Sequence, residues 1–314
     1  MRRLRIAAVQ MRARLADTAY NLDLAERLAG QAFRKGADWV ILPEFFPSAM
    51  GFHPDMLDAA LPLEGRPMEM LRGLAREHQG IVGGSYIALR GIHSYNTFVL
   101  VSPDGKVQLH DKDQPTMWEN CYYLGGSDDG ILETPVGKAG AVLCWEFVRT
   151  RTVRRLLGRV DLVVGGSCWW TLPEKRLPGF PRRLHDRNLA IMSETPRRFA
   201  RLLGVPVIHA AHAGELVGGL PLAPGFPYRS HYLGETQIVD GAGRILARMG
   251  REDGDGFVTA DLELAERHEP AEALPAGFWI PELPPAFRIL WSLQNLHGRA
   301  YYRRKTLPHR KRRA

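Results

Sequence analysis

Apolar residues recur along this chain in two rhythms. Short, nearly continuous apolar runs alternate with stretches where apolar positions return every three or four residues. The first pattern reads as buried strand, the second as a helix with one face in a core. Residues 5–9 predict a first strand. Asp17-Thr18-Ala19-Tyr20-Asn21 then opens a helix with Leu22, Leu24, Ala25, Leu28, Ala29 and Ala32 on its apolar face, ending near Gly36. Residues 39–42 form a fully apolar strand that stops at Pro43-Glu44. A second helix is predicted over 67–78 and strands over 80–88 and 95–101. Pro103-Asp104-Gly105-Lys106 is a hairpin-type turn.

The pattern changes at residue 112. From 112 to 130 periodicity is lost, yet the stretch is rich in aromatics, which argues for a functional loop rather than disorder. Gly140-Ala141-Val142-Leu143 then runs straight into Cys144. Residues 149–157 follow, basic with apolar positions at helical spacing, so the segment reads as buried strand, tight turn and helix start. Residues 160–167 predict another buried strand, ending at Cys168-Trp169-Trp170. Residues 171–183, rich in Pro and Arg, read as a loop. Residues 184–203 read as a helix broken or restarted at Pro196. Residues 205–211 are strand-like, 214–230 read as a Gly- and Pro-rich loop, 237–247 as a hairpin and 256–262 as a last strand. A Pro-rich extension and an amphipathic helix over 286–301 close the chain. Strands alternating with helices, with hairpins interspersed, argue for a mixed α/β sandwich. The division expected is a domain over 1–262 and a C-terminal extension over 263–314.

Composition adds exclusions. No apolar run approaches the roughly 18 residues of a membrane span, and Gln10, Arg12 and Arg14 interrupt the N-terminal apolar stretch, so no signal peptide is expected. The expectation is a cytoplasmic protein. Cys121, Cys144 and Cys168 are too few and too scattered for a disulfide framework, and no Cys-x-x-Cys pair suggests zinc. Of the net charge of +8, seven units sit in a terminal cluster (Arg303, Arg304, Lys305, Arg310, Lys311, Arg312 and Arg313), leaving about +1 for the body. That cluster reads either as a solvated, mobile terminus or as a contact for an acidic partner, membrane surface or nucleic acid.

Cys144 is the first candidate for chemistry. A cysteine at a strand-to-helix turn is presented rather than packed away, and a helix N-terminus lowers a thiol's pKa. Glu44, directly after a buried strand, is either a rigidly held site carboxylate or a helix cap. Cys121 and Cys168 read as structural thiols, and Trp169 as pocket wall or core. His209 and His212 with Glu215 could be read as a metal site, but they follow a strand-like run rather than a clear helix. No Gly-x-Ser-x-Gly elbow is present, which excludes the usual serine hydrolase.

Taken in order, Pro43-Glu44, His110-Asp111-Lys112 and Leu143-Cys144-Trp145-Glu146 resemble the motifs of the nitrilase, or carbon–nitrogen hydrolase, superfamily. Ala8-Val9-Gln10, Tyr95-Asn96-Thr97, the run from Pro115-Thr116 to Glu119, Trp169, and residues 234–240 support it; the resemblance spans roughly residues 4–262. It implies a four-layer α-β-β-α sandwich, commonly paired into homodimers or larger homo-oligomers. It also implies Cys144 as nucleophile, Glu44 as general base, Lys112 as oxyanion stabiliser and Glu119 as a second glutamate. The backbone N–H of Trp145 would serve the oxyanion, Trp169 the substrate, and no cofactor or metal would be needed. Met117 stands where a histidine is usual, Phe147-Val148 where Asn and Met-Pro are, and residues 171–214 lack the typical Arg-Ala-x-Glu-Asn helix. These departures concern the substrate rather than the triad. The function expected is thiol-dependent hydrolysis of a small amide. The alternatives are nitrile hydrolysis to acid and ammonia, and a catalytically silent scaffold on the same fold; nucleic-acid association through the tail is a further rival.

Overall fold

β1 (Arg3–Met11) is buried at every position from Ile6 to Met11, as expected of a strand covered on both faces. The computed structural model describes residues 3–172, 182–264 and 269–313. After β1 come α1 (Thr18–Arg34), β2 (Trp39–Ile41), β3 (Leu61–Pro62), α2 (Arg66–His78), β4 (Ile81–Arg90), β5 (His93–Val101) and β6 (Val107–Asp111). β7 (Ile131–Thr134) and β8 (Gly137–Leu143) lead to α3 (Thr150–Leu156), β9 (Leu162–Ser167), α4 (Arg182–Leu203) and β10 (Val207–His212). Then follow β11 (Glu215–Leu220), β12 (Ala223–His231), β13 (Thr236–Val239), β14 (Ile245–Met249), β15 (Gly256–Glu263), α5 (Pro285–Tyr301) and α6 (Leu307–Lys311).

β4-β2-β1-β10-β9-β8 run parallel in that order, with β5 and β6 antiparallel at one end and β7 at the other. The link between the halves is narrow: β1 meets β10 only at Gln10–Ala211 and Met11–His212. Along the rest of β1 that edge is taken by β15. The two halves therefore separate and pack face to face. Strand alternation sorts the side chains. Ala7, Val9 and Met11 of β1 face α1 and α2, while Leu4, Ile6 and Ala8 face an inner core shared with Ala139, Ala141 and Leu143 of β8. Val142, Val163 and Val207 face away from that core, under Val153 and Leu156 of α3 and Phe199 and Leu202 of α4. Three cores between four layers make the α-β-β-α sandwich that the resemblance implied.

Three expectations need correcting. α4 runs unbroken through Pro196. Its buried side chains lie on both sides of the proline (Met192 before it, Phe199, Ala200 and Leu202 after it), so packing outweighs one missing N–H. Residues 214–230 are a hairpin, β11 with β12, and not a loop. It stands apart from the main sheet, where Pro227 is tolerated, and is anchored by Leu216, Tyr228 and Ser230 pointing inward. The basic terminus is helical rather than a loose tail, with Arg310 buried and the other six basic residues of the cluster exposed. α5 continues through a π turn over Tyr302–Thr306 into α6. Arg310 is buried and donates to Ser94 Oγ and, at 2.7 Å, to the Tyr122 carbonyl. Arg313 and His309 both meet Asp58. Of the loop expected over 171–183, residues 173–181 lie outside the described residues.

α5 lies on the 3-10 turn Met117–Cys121. Its inner face repeats at helical spacing through Phe287, Leu290, Trp291, Gln294 and Gly298. Asn295 Oδ1 accepts from Met117 N–H and from Asn120 Nδ2, both at 2.9 Å. At Gly298 a Cβ would stand 2.5 Å from Asn120 Cβ, so helix and turn approach this closely only over glycine. Gly298→Val is expected to cost about 1–3 kcal/mol by overpacking, read as a lowered midpoint in thermal denaturation.

Candidate active site

The side chains that meet at the site leave their strands at one end of the sandwich. Glu44 stands just past β2, Lys112 directly after β6 and Cys144 directly after β8. All three, with Glu119 from the 3-10 turn, are buried. Lys112 Nζ donates to Glu44 Oε1 at 2.8 Å and to Glu119 Oε2 at 2.7 Å. One oxygen of each glutamate and the Cys144 Sγ lie within 4.8 Å of one another. Two acids and a thiol this close could hold a metal ion, but the Lys112 ammonium already bridges the two acids as their cation.

Each carboxylate is also held by neutral donors. Glu44 Oε1 accepts from Asn96 Nδ2 at 2.8 Å, and Glu44 Oε2 from the backbone N–H of Cys168 at 2.9 Å. Glu119 Oε2 accepts from Thr116 N–H at 2.8 Å and from the Tyr123 hydroxyl. Asn96, Tyr123 and the Cys168 amide were not assigned roles from sequence. Only Asn96, inside a supporting motif, carried a signal that could have marked it. The Cys168 thiol fits the structural reading; it is the backbone of that residue that serves Glu44.

Protonation follows from burial and neighbours. Burial pushes the Glu44 carboxyl up to about 7, against the pull of Lys112. Burial alone would lower the Lys112 ammonium, but Glu119 and Glu44 outweigh it and hold it well above the usual lysine range. The Cys144 thiol is pushed well above its ordinary value by burial and by the neighbouring Glu44 carboxylate. This corrects the expectation of a thiol acidified by a helix N-terminus. Cys144 opens a 3-10 turn rather than an α-helix, and desolvation beside a carboxylate outweighs the turn. The site also stores backbone strain. Cys144, Phe45 next to Glu44, and Met117 at the start of the Glu119 turn have φ of 50°, 53° and 53°, a region non-glycine residues enter at a cost of about 1–3 kcal/mol each.

Beneath the site Glu146 ties the two strand ends together. Its Oε2 accepts from Leu143 N–H at 2.9 Å and meets His110 Nε2 at 3.1 Å, while its Oε1 accepts from Asp113 N–H at 3.1 Å. Burial would lower the His110 imidazole, but Glu146 and Asp128 raise it to about 9. Its folded value therefore lies above its unfolded one near 6.5. The stability it contributes is complete below that unfolded value and is lost as pH rises through about 9. The urea midpoint is expected to fall between pH 7 and 9.5 in the wild type, and the fall to flatten in His110→Gln.

The metal reading of His209 and His212 is not supported. Three residues apart on β10, they point to opposite faces. His209 meets Ser167 Oγ at 2.9 Å and the Glu235 carbonyl at 3.0 Å; His212 meets the Glu44 carbonyl at 2.8 Å and the Met11 carbonyl at 3.3 Å. Burial lowers both imidazoles to about 4.

Cys144 faces a cavity of about 190 Å³. Trp145 and Trp169 line it with ring centroids 5.7 Å apart, and Trp118 stacks on Trp170 at 4.3 Å. Phe287, Leu290 and Gln294 of α5 line it as well.

A thiol, two carboxylates and a bridging ammonium, buried at the strand ends of an α-β-β-α sandwich, define a hydrolase with a Glu-Lys-Cys triad. The carbon-nitrogen hydrolase family model matches residues 5–269, and the chain belongs to that family. The 2-oxoglutaramate amidase of Bacillus subtilis is 27% identical over 246 residues, covering 77% of this chain and 84% of that protein. Nitrilase 3 of Arabidopsis thaliana is 25% identical over 309 residues, covering 84% and 80%. The crystal structure of a carbon-nitrogen hydrolase from Helicobacter pylori G27 shares the fold, with a TM-score of 0.70 at 20% identity over 83% of this chain and 89% of that one. No helix among the described residues is long and apolar enough to cross a membrane.

Proposed function

We propose that the protein hydrolyses the carbon–nitrogen bond of a small non-peptide amide through a cysteine thioester. The observation that carries this is the contact set around Lys112, with Glu44, Glu119 and the Cys144 thiol gathered in one buried cluster. As Cys144 Sγ bonds to the amide carbon, its proton passes to Glu44. A thiol this hard to ionise needs such a base beside it, and a carboxyl pushed up to about 7 both takes up and returns a proton at neutral pH. The tetrahedral oxyanion is met by the Lys112 ammonium and by the N–H of Trp145. That N–H is at the second position of the 3-10 turn, ahead of the first intraturn bond. Collapse breaks the carbon–nitrogen bond, and Glu44 gives its proton to the leaving ammonia or amine. Water, deprotonated by Glu44, then attacks the thioester; the acid departs and the proton returns to sulfur. Glu119 holds Lys112 in place.

Nitrile hydrolysis is the second reading, favoured by Trp145-Glu146 after the cysteine and by the likeness to Nitrilase 3. Ammonia and acid are to be measured for wild type and Cys144→Ala against simple amides and the matching nitriles. Release from amides only supports the first reading, release from nitriles the second. Equal release by wild type and variant would sink both. A homo-oligomer belongs to the same proposal, supported by the exposed apolar stripe Ile289, Leu293 and Leu296 on α5.

A further inference from the structure

Part of the wall of the cavity that Cys144 lines comes from α5, residues 285–301, beyond the end of the family match at residue 269. What this enzyme accepts is therefore set partly by a segment beyond the matched residues. None of the described residues lining the cavity is charged, and the indoles of Trp118, Trp145, Trp169 and Trp170 supply much of its surface. The nearby ammonium of Lys112 is already bonded to two glutamates. Among the described residues an acyl carboxylate would lose its water here without gaining a cation, a loss that apolar surroundings do not offset. Size narrows the choice further. A cavity of about 150 Å³ with apolar walls takes a benzene ring, so one of about 190 Å³ takes a ring and a short link to the carbonyl.

We propose that the acyl site takes an uncharged, largely apolar acyl group the size of one aromatic ring on a one-carbon link, and that Phe287, Leu290 and Gln294 of α5 set its length. This rests on the hydrolase reading above. α5 is suited to the task because it is fixed rather than loose. Asn295 is bonded to the Met117–Cys121 turn, and Gly298 seats the helix against that turn. Gln294 is buried, its Oε1 has no hydrogen-bond partner among the described residues, and the polar residues described in the wall are uncharged.

The test is ammonia release by the full chain from phenylacetamide, 4-phenylbutanamide and succinamate, the last bearing a carboxylate. Wild type is expected to favour phenylacetamide over succinamate by about 100-fold or more in kcat/KM, and over 4-phenylbutanamide by about ten-fold. Leu290→Ala is expected to raise the 4-phenylbutanamide to phenylacetamide ratio by about ten-fold. Leu293→Ala, on the exposed face of the same helix, leaves that ratio unchanged. Succinamate turned over as well as phenylacetamide, or Leu290→Ala and Leu293→Ala moving the ratio alike, would overturn the proposal. Calorimetric binding to Cys144→Ala separates it from the hydrolase reading. Phenylacetamide bound ahead of succinamate but never hydrolysed by wild type keeps the acyl site and refutes the hydrolase; hydrolysis with succinamate preferred does the reverse.

Discussion

Cys144→Ala is expected to lower kcat/KM for any substrate of the enzyme by roughly 10⁴-fold or more while leaving the fold intact. The two halves of that expectation have separate grounds. Activity is lost because Cys144 supplies the one thiol among the described residues lining the cavity. Cys168, also buried near Glu44, does not line the cavity that Cys144 faces, and it is bonded to Glu44 through its backbone N–H. Stability is kept because alanine fills most of the cysteine's volume and tolerates a φ of 50° as well as cysteine does. The lost thiol also removes a group whose ionisation Glu44 opposes. Cys144→Gly should be at least as stable as Cys144→Ala where strain dominates, since glycine enters the left-handed region without penalty. Steady-state kinetics with ammonia detection and a thermal melt on the same preparations check both parts. Residual activity in Cys144→Ala above about one per cent of wild type would assign the nucleophile elsewhere.

The residues that do the chemistry were legible because each of them interrupts a simple pattern. Glu44 ends the apolar run Trp39 to Leu42, Lys112 opens the aperiodic stretch, and Cys144 ends the run from Gly140. A strand that closes on a charged or nucleophilic residue presents that side chain at a fixed place, so strand periodicity alone points to it. What holds them was not legible, because it comes from elsewhere in the chain. Asn96 reaches Glu44 from β5, the Cys168 amide from the end of β9, and the His212 ring from β10. No local pattern records such convergence. The thiol's acidity was misjudged for the same reason. The helix start is visible in residues 149–157, but the burial of Cys144 and its carboxylate neighbour exist only once the layers close. Residues 286–301 showed an amphipathic helix correctly, yet periodicity says that a face is buried and not what it covers. Here it covers the catalytic turn and one wall of the cavity. In the basic terminus charge marks solvent at every position of the cluster but one; Arg310 is instead bonded to Ser94 and a backbone carbonyl in the interior.

Lys112→Met is expected to damage both stability and turnover, and the two losses can be separated. With the ammonium gone, Glu44 and Glu119 remain as neighbouring buried carboxylates whose shared cation is missing. Breaking a buried ion pair from one side costs about 3–5 kcal/mol, and proton uptake by one of the acids offsets part of that. The oxyanion loses its charged donor as well, worth roughly 10²–10³ in kcat. The double variant Lys112→Met with Glu119→Gln distinguishes the roles. It leaves one buried carboxyl, Glu44, which keeps its bonds from Asn96 and the Cys168 amide. Denaturant midpoints are therefore expected to recover in the double variant relative to Lys112→Met, because the like-charge pair is gone. kcat is not expected to recover, since no group replaces the ammonium facing the oxyanion. If activity returned along with stability, Lys112 would be a structural counter-ion for the two glutamates, and oxyanion stabilisation would rest on the turn at Trp145 alone.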